Sequence, residues 1–94
     1  MGGINEVQKV LTLAAASSVA AIPYTPYHGP GLLASLHLMA TLSEPIPVEF
    51  FYYRSIEGLL CGDALTPKNS YLSVPQTPGL GYDPDPEVLS RFAV

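Results

Sequence analysis

The chain has 94 residues, of which 48% are hydrophobic and only 13% charged, and its net charge is −4. That length allows one small domain or part of a larger one. The charge argues against nucleic acid as a partner, because Lys9, Arg54, Lys68 and Arg91 are the only cations and are scattered. A small globule must cover much surface with polar groups, and this sequence has few, as a piece of a larger core would.

In chain order, Gly2-Gly3 reads as a tight turn. Asn5 is a candidate helix cap, with Gln8 at the capping-box position. Val7, Val10, Leu11 and Ala14 recur at helical spacing, which predicts a helix over about Glu6 to Ser17. The uncharged run Val10 to Ile22 is shorter than the roughly 20 residues a bilayer span needs. Glu6 cancels Lys9 ahead of that run, which argues against a secretory leader. Val19 to Ile22 is apolar throughout and reads as a buried parallel strand ended by Pro23.

Pro23-Tyr24-Thr25-Pro26-Tyr27-His28-Gly29-Pro30-Gly31 is an irregular loop fixed by its prolines and glycines. A second helix is expected over Leu32 to Thr41. Its leucines leave little polar face, so other elements must cover it. Val48 to Tyr53 is the strongest strand candidate. Residues Arg54 to Ser70 read as loop, Tyr71 to Pro75 as a short strand, and Thr77 to Gly81 as a turn. A last short helix starts at Asp85-Pro86-Glu87: Asp85 caps it, Pro86 takes its first position, and Val88, Leu89 and Phe92 form the expected buried face. Helices alternating with strands give an α/β chain with parallel strands. Two such strands do not make a stable sheet by themselves.

The segment Pro23 to His37 resembles the stretch after the seventh barrel strand in the mandelate racemase/muconate lactonizing enzyme group of the enolase superfamily. Met1 to Ile4 is similar to the turn after strand six, Val19 to Pro23 to strand seven, and Val48-Glu49-Phe50 to strand eight. Val74-Pro75, Pro78-Gly79-Leu80-Gly81 and the acidic helix start resemble the C-terminal signature that returns to a capping domain. The resemblance implies the last strands and helices of a modified (β/α) TIM-type barrel over residues 1–70, and a C-terminal tail over 71–94 that packs on the capping domain. It implies a parent several times longer, with Met1 an internal methionine or a late start.

It also implies an activity. Enzymes of this group abstract the proton next to a substrate carboxylate and stabilise the enediolate on Mg²⁺, whose charge offsets the growing negative charge. The expected parent is a dehydratase or racemase acting on a sugar acid or hydroxy acid. The group's metal carboxylates belong to strands three to five and its lysine base to strand two, so this segment holds no metal and is expected to be inactive alone. Tyr24 stands where many members carry the histidine of a His-Asp dyad, a departure, since a phenol is a poor base at neutral pH. His28 is the candidate acid or base in its place, because imidazole titrates near neutrality. Tyr27 is a candidate substrate contact. Glu49 matches the acidic residue of strand eight that hydrogen-bonds the substrate carboxylate, a role a protonated acid fills in an apolar neighbourhood.

The residues alone leave blander roles open for each: loop packing for Tyr24 and Tyr27, a backbone-satisfied loop histidine for His28, a salt-bridged strand edge for Glu49. His37, on an apolar helix, reads as a packing residue. Cys61 is the sole cysteine, reads as inert, and suits a reducing, cytoplasmic location. The rival readings are a small oligomeric binding or assembly protein, in which copies of the chain cover the apolar helices, and a truncated reading frame.

Overall fold

A computed structural model describes residues 2–25, 29–51 and 65–94. It contains three helices: α1 (Ile4–Ala16), α2 (Pro30–Met39) and α3 (Pro86–Phe92).

Helix α1 starts earlier than the Asn5 cap predicts. The amide of Val7 already donates to the Gly3 carbonyl at 3.3 Å. Gly3 is therefore the cap residue, and Asn5 lies inside the first turn with no capping role for its side chain. The other end is closed by a full Schellman arrangement. Ser18 takes a left-handed φ of 54°. Its amide donates to Ala15 at 3.1 Å, and the Val19 amide reaches back to Ala14 at 2.9 Å. Leu11 is buried, Val7 and Ala14 are half-buried, and Val10 and Leu13 stay exposed. Only one stripe of α1 is covered.

Helix α2 begins at Gly29, whose φ of 81° and ψ of −139° suit a residue without Cβ. Pro30 follows at the first helical position, where its missing N–H costs nothing. This moves the start ahead of the expected Leu32. At the far end the Thr41 hydroxyl donates to the Leu38 carbonyl at 2.7 Å. Leu32, Leu33, Leu36, Leu38 and Met39 are all buried, as a helix with so little polar face requires, and with Leu11 they form the core. Helix α1 packs against α2.

The described residues contain no strand, which corrects the α/β expectation for this part of the chain. Val19 to Ile22 and Val48 to Phe51 are not strands; Tyr52 and Tyr53, the rest of the second expected strand, lie outside the described residues. The physical reason is visible where the two segments meet. Thr25 bonds Glu49 through side-chain groups on both sides, so the backbone groups that would build a ladder are not paired with each other. The expected strand Tyr71 to Pro75 is reduced to one bridge between Lys68 and Tyr71. Asn69 and Ser70 between them both have positive φ, 49° and 66°, as a two-residue hairpin turn of type I′ demands.

The tail turns back at Thr77 to Gly81. The Thr77 hydroxyl donates to the Gly81 carbonyl at 2.6 Å, and the Gly81 amide donates to Pro78 at 3.2 Å. Helix α3 is capped as expected, with the Glu87 amide donating to Asp85 Oδ1 at 2.9 Å and Pro86 in the first turn. Its expected buried face is not buried: Val88 is half-exposed, and Leu89 and Phe92 are exposed. No other described element packs closely enough against α3 to cover it.

Candidate functional site

Among the sequence candidates, the structure describes Tyr24 and Glu49; Tyr27 and His28 lie outside the described residues. Tyr24 and Thr25 follow Pro23 at the end of the Val19–Ile22 segment. The two behave oppositely: Tyr24 is 70% exposed and Thr25 is 1% exposed. Thr25 faces inward and is the buried polar residue among those described.

A buried hydroxyl needs a partner. The Thr25 hydroxyl donates to the main-chain carbonyl of Glu49 at 2.9 Å, and the Thr25 amide donates to Glu49 Oε2 at 3.3 Å. The first bond has ordinary length and the second is long, so the hydroxyl is the firmer arm of the clasp. Together they bring the end of the Pro23–Thr25 segment against the residue proposed for substrate contact. Glu49 itself is exposed. The apolar enclosure expected around its carboxyl group is therefore not supplied by the described residues. Its other oxygen, Oε1, has no partner among them.

His37 projects from α2 to the tail, with Nε2 at 3.1 Å from the Leu80 carbonyl. It packs the tail onto the helix, in keeping with a packing role. Beside it, the turn and the chain up to Pro84 form an open groove against Pro30, with Tyr82 and Asp83 on its lining.

No three His, Cys, Asp or Glu side chains among the described residues converge as a metal site. No helix among them is long and apolar enough to cross a membrane. Sequence reasoning missed Thr25. Nothing in a lone threonine between prolines separates a buried clasp from a loop residue.

Among the described residues, the geometry defines an α-helical segment in which Thr25 is clasped to Glu49, with no metal cluster. Residues 1–88 match the family described as "Enolase C-terminal domain-like". The chain belongs to that family, as the loop and tail motifs suggested. It is 34% identical over 94 residues to chloromuconate cycloisomerase of Pseudomonas putida, covering 98% of this chain and 25% of that protein. It is 30% identical over 81 residues to arabinonate dehydratase of Saccharolobus solfataricus, covering 86% of this chain and 22% of that protein. With D-galactarolactone cycloisomerase of Agrobacterium fabrum the identity is 27% over 100 residues, 97% of this chain and 26% of that protein. The chain thus spans about a quarter of the length of these curated relatives. No solved structure matches it significantly.

Proposed function

We propose that the chain forms one wall of the active site of an enolase-superfamily enzyme that abstracts the proton next to a carboxylate of a small sugar acid or hydroxy acid, as a lyase or isomerase. The observation that carries this is the Thr25–Glu49 clasp, which joins the Tyr24 loop to Glu49 within a chain of this family. The dehydratase and cycloisomerase relatives support the reaction class. Glu49 then uses Oε1, free among the described residues, to donate as a protonated acid to the substrate carboxylate. Tyr24, exposed and preceding Thr25 in the chain, is a hydrogen-bond or proton donor. His28 is the acid or base and Tyr27 a substrate contact. The described residues do not fit a metal. Magnesium is assigned to carboxylates in the remainder of the enzyme, the 94-residue segment is inactive alone, and the enzyme is cytoplasmic.

The test is proton exchange at the substrate Cα in D₂O with magnesium, followed by ¹H NMR, in the enzyme that contains this segment. Glu49→Gln is expected to lower kcat/KM by about 10- to 100-fold, the range for a hydrogen bond to a charged group. Unchanged exchange in that variant would remove Glu49 from the site. Exchange catalysed by the isolated 94-residue chain would overturn the assignment of the metal and base to other segments.

A second reading has its own support. The chain exposes 6969 Å², against roughly 5,200 Å² for a compact monomer of its mass. A homo-oligomer of the chain would also cover that excess, and its melting midpoint would rise with concentration.

A further inference from the structure

We infer that Thr25 is a positioning residue for Glu49: it fixes the Glu49 main chain with its hydroxyl and holds carboxyl Oε2 with its amide, which leaves Oε1 to donate, as a protonated acid, to a substrate carboxylate. This rests on the proposed function above for what Glu49 binds, but the clasp stands on geometry alone.

Thr25 is 1% exposed, so its hydroxyl has no water to fall back on and depends on the Glu49 carbonyl at 2.9 Å. That bond replaces the one a neighbouring strand's N–H would make, and it pins Glu49 from the main-chain side. The Thr25 amide is thereby left for the Glu49 side chain, which it meets at Oε2. One carboxylate oxygen is occupied by the protein and the other is free among the described residues. A flexible glutamate on an exposed segment would otherwise sample many rotamers, and ordering it on substrate binding would reduce affinity. A threonine supplies both arms: a β-branched side chain with restricted χ1 for the hydroxyl, and a main-chain N–H that proline would lack.

Two measurements test this and separate it from the reading of Glu49. In the enzyme that contains this segment, ¹H–¹⁵N spectra recorded across the carboxylate titration range should show the Thr25 amide shifting with pH. The shift should disappear in Glu49→Gln and persist in Thr25→Ser. A Thr25 amide that does not titrate, titrates unchanged in Glu49→Gln, or sits at a random-coil position overturns the clasp. In the enzyme, Thr25→Val should lower kcat/KM roughly tenfold, the effect of losing one buried hydrogen bond to a main-chain carbonyl, and Thr25→Ser should restore most of it. A purely structural role would leave the serine variant as impaired as valine, or impair neither. If Glu49→Gln reduces turnover and Thr25→Val does not, the positioning role fails while the function stands. If Glu49→Gln has no effect and the amide still titrates, the clasp is real and the substrate role of Glu49 fails.

Discussion

Asp85 and Ser18 show how much single residues decide at helix ends. Asp85 satisfies one of the orphan amides of α3 by accepting from Glu87. Asp85→Ala should weaken this short helix by about 1 kcal/mol, read as a fall in ¹³Cα secondary shifts across residues 86–92. Ser18 holds a left-handed conformation that costs a non-glycine residue on the order of 1 kcal/mol, offset by the Schellman bonds to Ala14 and Ala15. Ser18→Gly removes that cost and should strengthen the α1 C-terminus, seen as slower amide exchange at Val19. The pair Lys9–Glu6, by contrast, is 2.7 Å apart but well exposed on both sides, so solvent screening leaves it little effect on stability.

At the level of elements, the turn that docks the tail depends on Gly81. Its φ is +88°, and an added Cβ would overlap the Cβ of Pro75. Gly81→Ala meets both penalties and should cost on the order of 1–3 kcal/mol of local stability. Because the same turn presents the Leu80 carbonyl to His37, the variant should also release the tail from α2. Limited proteolysis would then cut more quickly around residues 76–84, with α2 unaffected. The two long helices differ in what they still need. α2 is covered by what the structure holds, whereas α1 leaves Ile4, Val10 and Leu13 exposed, Leu13 at 69%. A helix apolar on more than its packed stripe is expected to meet another layer.

For the whole molecule, the surface area and shape point the same way. The radius of gyration is 14.2 Å, where about 12 Å is expected for a compact domain of this length. The core is essentially α2 with Leu11 against it. Exposed Val19, Ile22, Phe51, Leu89 and Phe92 bury little. Under the proposed function these faces lie against the rest of the enzyme, and the isolated chain should melt by circular dichroism in a broad, non-cooperative trace with aggregation. A sharp, reversible transition whose midpoint rises with concentration would instead establish a self-sufficient oligomer and reject the fragment reading.

The sequence by itself determined the local structure and the family. Periodic leucines and valines, Pro86 at the first helical position and the Asp85 cap made all three helices legible, because helices satisfy their hydrogen bonds within a few residues, although α2 starts at Pro30, ahead of the expected Leu32. The loop and tail motifs identified the family, since short spaced motifs need no knowledge of packing. The tertiary structure decided what depends on distant partners. Strand-like runs at Val19 and Val48 have the right side chains, yet a strand exists only through its neighbours, and here Thr25 makes the link through its side chain. The Thr25–Glu49 clasp and the His37–Leu80 bond join residues far apart in the chain. No local pattern encodes which threonine will be buried beside which glutamate, because that follows from how the helices and loops pack.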